Sequence, residues 1–286
     1  MAKAADTPIQ IAVCFFGITR SLRHTLPSIE THVLDVARAT GHPVHVYAHF
    51  FEQAQIDNPR TGETGALEQD EHKLLPLDQV ALEAPGACLA EWDFEGLKSF
   101  GDFWGTDFTS LRNLVHQLHS LKQVTEMAGQ ADVVIFARPD LEYHDSMAKP
   151  LRAALRVARA GKGGVWLPWW QAWFGRNDRF AICAGAQAIK AYGTRVTRMR
   201  DFCETGPRPM HAEAFVDFVL NDAGVAVHSI GQRASRVRAG GQRAEEEFLH
   251  PATRKLLRAW WKLDRLSGLR ALRHRLSPPN KTDHNT

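Results

Sequence analysis

The 286-residue chain is 44% hydrophobic and 23% charged, with a net charge of +3, the profile of a globular protein that can bury a sizeable core. No run approaches the roughly 20 apolar residues that span a bilayer, and MAKAADTPIQ carries no apolar stretch, so a secretion signal is not expected there. Cys14, Cys88, Cys183 and Cys203 are widely spaced and form no C-x-x-C pair, which argues against a disulfide scaffold or zinc ribbon and for a reducing cytoplasm.

In chain order, IQIAVCFFGITRS reads as a buried strand over 9–16, broken by Gly17. Residues 21–40 place Leu22, Leu26, Ile29, Val33, Val36 and Ala37 at helical spacing up to Gly41, and PVHVYAHFF is a second strand, opening a βαβ unit. Segment 52–107 is broken by Gly62, Gly65, Pro76, Pro85 and Gly86 and predicts one short element around 77–83. A helix is expected over 108–128, its apolar face running from Leu111 to Val124 and a second stripe formed by Asn113, Gln117 and Ser120. Then follow a strand at 132–137, a helix at 147–160, the strand VWLP, a tryptophan-dense loop, a strand at 180–183, helices at 185–200 and 211–222, and the strand VAVHSI. The alternation predicts one α/β domain over 9–250 with a mostly parallel sheet, after a disordered stretch 1–8.

In such a sheet, ligands bind outside the carboxyl ends of the strands. Residues 17–20, His49, residues 138–145 and the loop 169–179 all follow apolar runs, so parallel strands would gather them on one rim. Gly17 permits a sharp turn into a helix whose free N–H groups suit an anion, and Arg20 adds a permanent charge; Ser21 reads equally as a simple N-cap. Neither G-x-G-x-x-G nor a P-loop is present. At Arg138-Pro139-Asp140, Pro139 ends the strand, and Asp140 with Glu142 or Asp145 offers hard oxygen ligands for Mg²⁺ or Mn²⁺. Asp145 also fits as a cap for the 147–160 helix. In PWWQAWFGRNDRFAI, Trp169, Trp170 and Trp173 crowd beside Asn177 and Asp178, which suits a sugar ring or a loop folded over its own cluster; some of these and Trp166 belong to the core on either reading. Glu213 in PMHAEAFVDF reads as a general base or as a carboxylate favoured by the helix dipole, with His211 beside it.

Together VCFFGITRSL, QLHSLKQV, VVIFARPDLEY and WFGRNDRFAI resemble a little-characterised family of glycosyltransferases similar to nucleotide-sugar enzymes of the GT-A fold. The resemblance covers most of 9–240. It implies a GT-A-like domain, a nucleotide-sugar donor, usually a divalent cation (Mn²⁺ or Mg²⁺), and transfer to a hydroxyl of a glycan or lipid-linked acceptor, as in cell-surface polysaccharide or glycoconjugate synthesis. The candidate nucleotide-sugar contacts are Gly17, Thr19, Arg20, His49, Gln117, Ser120, Arg138 and Asp140, with Asp140 also the metal ligand. Trp169, Trp173 and Asn177 are the sugar or acceptor contacts, and Asp178 or Glu213 the base of an inverting reaction. The sequence departs from the family's frequent Asp-x-Asp, since Arg138 holds the first position; a guanidinium there could supply the charge a metal otherwise provides. The competing reading is a non-catalytic sugar- or nucleotide-binding protein on the same fold.

Nine of the 35 basic residues and two of the 32 acidic ones lie beyond residue 250, so the tail carries +7 and the body −4. Within 251–276, Leu256, Trp260 and Leu263 share a helical face opposite basic residues, the pattern of a helix lying on anionic lipid at the inner face of a membrane, or of one packing onto the acidic body. No basic stripe extends over the body, so nucleic acid is not expected as a partner. SPPNKTDHNT, 277–286, reads as disordered.

Overall fold

Apolar side chains on both faces of a strand require cover on both faces, and β1 (Ile11–Gly17) lies inside the sheet, buried from Ile11 to Phe16. The computed structural model describes residues 8–58, 62–206 and 209–249. Residues 1–7 and the expected basic helix and tail, 251–276 and 277–286, lie outside them. Contacts divide the chain into one unit ending at Glu247 and a second beginning at Phe248; all that follows concerns the first.

After β1 come α1 (Leu22–Ile29), a wide π-helical turn over Glu30–Leu34, and α2 (Asp35–Arg38), which together fill the helix expected over 21–40. Pro27 lies inside α1 and withholds one N–H from the ladder just before the wide turn. β2 (Val44–Phe51) is followed by a hairpin of β3 (Gln55–Asn58) and β4 (Glu63–Ala66), then β5 (Gln79–Glu83), α3 (Ala87–Glu91) and α4 (Phe94–Lys98). Of these last five elements only β5 was expected. α5 (Thr109–Ala128) and β6 (Val133–Ala137) match their predicted ranges closely. β7 (Leu141–Tyr143), α6 (Ala148–Arg159), β8 (Gly164–Pro168), β9 (Ala181–Ala184), α7 (Ala186–Gly193), α8 (Met199–Thr205), α9 (Ala212–Asp222), β10 (Val227–Ile230) and β11 (Ala234–Arg236) complete the order.

The sheet runs β10-β8-β9-β6-β1-β2-β5, and every strand is parallel except β9. Along β1, Ala12, Cys14 and Phe16 join a core with α5, α7, α8 and α9. Ile11, Val13 and Phe15 are buried as well and, by strand alternation, face the opposite side, where α6 packs on β6, β8 and β9. Because the strand order reverses between β1 and β6, the loops leaving those strands diverge and open a crevice. A two-stranded ribbon, β7 with β11, extends that rim. No helix among the described residues is long and apolar enough to cross a membrane.

Ser21 stands at the N-cap of α1 as expected, but its side chain does not cap the helix; the hydroxyl donates to the Val237 carbonyl at 2.9 Å. Asp145 does not cap α6, which starts after Met147 without a side-chain cap; it binds the Arg233 guanidinium at 2.9 and 3.0 Å instead. In both cases a partner from beyond residue 230 competes successfully for the polar group.

Candidate functional site

The crevice at the switch point is an open cleft of about 620 Å³, a size suited to a small-molecule ligand. Its β1 side is shaped by Gly17, whose φ of +108° no other residue adopts without strain. The Gly17 N–H donates to Ser120 Oγ at 2.8 Å, tying the loop to α5. On the same helix Asn113 and Gln117 line the cleft, so the polar stripe predicted along 108–128 faces it.

Arginines dominate the wall. Arg20 donates to Glu63 at 3.0 Å and to Asp140 Oδ2 at 2.6 Å. Arg138 grips both oxygens of Asp140 at 2.9 Å and donates to Gln117 Oε1 at 2.6 Å; Gln117 in turn donates to Asp178 at 3.1 Å. Arg238 shares Glu63 at 3.0 Å, while Arg179 and Arg236 share Glu246 at 3.1 and 3.3 Å. Five guanidinium groups, all lining the cleft, are therefore paired with three carboxylates, Asp140, Glu63 and Glu246, whose side chains are at most 6% exposed. Two positive charges are left over in this set. The rest of the lining adds Arg112 on the positive side and Asp57, Asp102 and Asp178 on the negative side.

The ionisation of these groups follows from burial and crowding. Burial alone would raise the Asp140 pKa, but the charges of Arg138 and Arg20 outweigh it and hold the group far below the carboxylate range. Burial, and then repulsion from Arg236, push Arg179 down to about 10, and burial and repulsion from Arg20 and Arg236 lower Arg238 as well. Glu213, at the first turn of α9 and facing the same cleft, is pushed up to about 8 by burial and then by the negative charge of Asp178.

A cation does not fit at Asp140. Both of its oxygens are taken by guanidinium groups, and a metal ion would face two arginines at close range. The convergent donor set lies one strand away. His49 Nε2 and His119 Nε2 stand 3.1 and 2.8 Å from Glu83 Oε2, and the three residues bring ligand atoms within 4.8 Å of one another, a group that could hold a metal ion. Burial lowers the His49 pKa, so the neutral ring is favoured.

No protein-family model and no curated protein matches this chain.

The rim gathers most, but not all, of the expected residues. Gly17, Arg20, Gln117, Arg138, Trp173, Asp178 and Glu213 line the cleft. Asp140 lies behind the arginines it orients, and Ser120 beneath Gly17. Thr19 lines a small neighbouring crevice with Glu52 and His72. His49 is buried against Ser120 and Glu83 rather than in the cleft, since β2 carries it beneath the rim. Asn177 is no acceptor contact: its amide donates to the Trp170 carbonyl at 2.7 Å and accepts from the Arg179 N–H at 2.9 Å, so both ends serve the loop itself. Trp169 is not among the residues lining the cleft; its backbone N–H donates to the Ile230 carbonyl at 3.1 Å. At the helix start after β1 the Leu22 N–H is taken by Glu71 at 3.0 Å.

Missing from the sequence reading were Glu63, Arg179, Arg236, Arg238 and Glu246, and an aromatic group at the cleft mouth. Phe103, Trp104 and Phe174 surround His211 at ring distances of 4.5, 5.6 and 5.3 Å, each more than a third exposed. Phe108 and Phe174, in the two loops that carry these rings, hold positive φ, a strain that persists only where the surroundings impose it. The aromatic-rich stretch 91–108 was the available signal.

Proposed function

We propose that the protein is a glycosyltransferase of the GT-A type, moving a sugar from a nucleoside-diphosphate donor to a hydroxyl acceptor. The observation that carries this reading is the set of five arginines sharing three buried carboxylates on the cleft wall. Guanidinium groups crowded on one wall repel one another, as the lowered Arg179 and Arg238 show, and a diphosphate entering beside them would relieve that repulsion. Guanidinium groups suit phosphate oxygens because their N–H donors lie in a rigid plane.

In the reaction, the bond from the sugar's anomeric carbon to the diphosphate oxygen breaks, and its electron pair leaves with the nucleoside diphosphate. Arg20, Arg138 and Arg238 stabilise that developing charge from fixed positions, the role a metal plays in many related enzymes. The acceptor oxygen bonds to the anomeric carbon, and its proton passes to Glu213. A carboxylate tuned to about 8 is a far stronger base than an exposed one and suits this step near neutral pH. Phe103, Trp104 and Trp173 line the same cleft as Glu213 and offer apolar ring surface to acceptor sugars.

A transfer assay with UDP- and GDP-sugars, combined with thermal shift, tests the reading. Stabilisation by a nucleoside diphosphate but not by the monophosphate, with turnover abolished in Glu213→Gln, is expected. Stabilisation with no turnover in the wild type would favour the non-catalytic binding protein. No stabilisation by any nucleotide would remove both.

A further inference from the structure

We propose that His49, Glu83 and His119 form a binding site for a divalent cation of the zinc class, separate from the arginine-lined cleft. The hydrogen positions argue for it. Ser120 Oγ lies 2.7 Å from the His49 carbonyl, 2.8 Å from the Gly17 N–H and 3.1 Å from His49 Nδ1. A carbonyl only accepts, so the single hydroxyl proton of Ser120 goes there, and both of its lone pairs accept, one from Gly17 and one from His49 Nδ1–H. With Nδ1 committed to Ser120, Nε2 is the His49 nitrogen that faces Glu83 Oε2, 3.1 Å away. His119 Nε2 reaches the same oxygen at 2.8 Å, so two imidazole nitrogens and a carboxylate converge on one point.

The surroundings match a metal site. Two imidazole nitrogens and one carboxylate leave a fourth position open, and nitrogen donors favour zinc over magnesium. In a tetrahedral zinc site neighbouring donors lie roughly 3.3 Å apart, as bond lengths of ~2.0–2.1 Å require, close to the 3.1 and 2.8 Å found here. The Ser120 bond to His49 Nδ1–H is the outer contact that metal-bound histidines typically make. Glu83 is 28% exposed on the edge strand β5, which gives an ion a way in.

His119 carries a latch. The Trp92 indole, a donor only, bonds His119 Nδ1 at 2.9 Å, so in the metal-free state the ring proton sits on Nε2 and points to Glu83. To ligate, His119 must move that proton to Nδ1, where Glu91 Oε2, now 3.6 Å away, can accept it in place of the indole. Metal loading therefore displaces Trp92. Through Ser120 it also fixes the Gly17 turn that borders the cleft.

The test uses the full chain stripped with a chelator and titrated with Zn²⁺ by calorimetry and with Co²⁺ by visible absorption, without reference to turnover. One equivalent of tight binding is expected, with the intense absorption of tetrahedral Co²⁺. His49→Ala should abolish this binding and Glu83→Gln weaken it at least tenfold. Glu83→Gln, on the partly exposed edge, serves if the buried histidine variant does not fold. Trp92→Phe should tighten binding roughly tenfold, the reverse of what loss of a merely structural contact gives. Binding that is absent, or indifferent to both Glu83→Gln and Trp92→Phe, overturns the site and leaves a shared proton as the bond between His49 and Glu83.

Discussion

Arg20 and Arg138 converge on one oxygen: both donate to Asp140 Oδ2, at 2.6 and 2.9 Å. One guanidinium leaves the end of β1 and the other the end of β6, on either side of the switch point. Asp140 is thus the clamp that orients the two cations toward the cleft. Asp140→Asn should cost about 3–5 kcal/mol of stability, the usual result of stripping one partner from a buried ionic group. Chemical denaturation measures it; a loss under 1 kcal/mol would mean that water replaces the carboxylate easily.

Arg238 offers a cleaner probe of ligand binding, because its side chain is 19% exposed and Glu63 keeps Arg20 when it is removed. Arg238→Met is expected to leave the melting temperature nearly unchanged while weakening nucleoside-diphosphate binding ~10–100-fold, the worth of one or two charge-assisted hydrogen bonds. Affinity should also fall with added salt less steeply in the variant than in the wild type. Equal affinities would place the diphosphate elsewhere.

The raised pKa of Glu213 makes stability depend on pH. Between about 4.5, the ordinary value, and about 8, the folded protein holds a proton that the unfolded chain has released. Stability therefore is highest below that window and declines as pH rises through it, by at most about 5 kcal/mol. Glu213→Gln should flatten this slope and gain stability at pH 8. Parallel slopes in the two proteins would show that other groups govern the window.

For catalysis the same residue gives the opposite trend. As a general base, Glu213 acts only when ionised, so kcat/KM should climb with pH to a plateau above about 8. Glu213→Gln is expected to lower kcat ~100–10,000-fold with little change in KM. A retained kcat would pass the role to Asp178.

Gly175 packs directly on the start of α9, where an added Cβ would lie 2.1 Å from the Glu213 carbonyl oxygen, itself bonded by the Arg176 N–H at 3.0 Å. Gly175→Ala must push the tryptophan loop and α9 apart. It should destabilise by ~1–3 kcal/mol and reduce turnover disproportionately, since small displacements of a catalytic group can cost ~100-fold. Turnover that tracks stability alone would show that the loop does not position Glu213.

The sequence by itself determined the elements of the sheet and the rim on which the site lies. Long apolar runs such as VCFF and VVIFA have few alternatives to buried parallel strands, and every parallel strand in one sheet ends on the same side. From that alone Arg20, Arg138 and Asp178 were legible as neighbours, whereas Glu213 was legible only as a carboxylate at a helix start. What only the tertiary structure decided was how their charges are partnered. Glu63 comes from a short hairpin, Arg236 and Arg238 from a ribbon that pairs β11 with β7, and Glu246 from beyond it. No periodicity marks such contacts, because ion pairing acts across space while local patterns report only which face of an element is buried. The same reason hid the histidine group: His49 on β2 reads as a rim residue, while nothing local on β5 or α5 marks Glu83 and His119 as its partners. Asn177 failed in the other direction, since a buried loop must satisfy its own backbone before its side chains can serve a ligand.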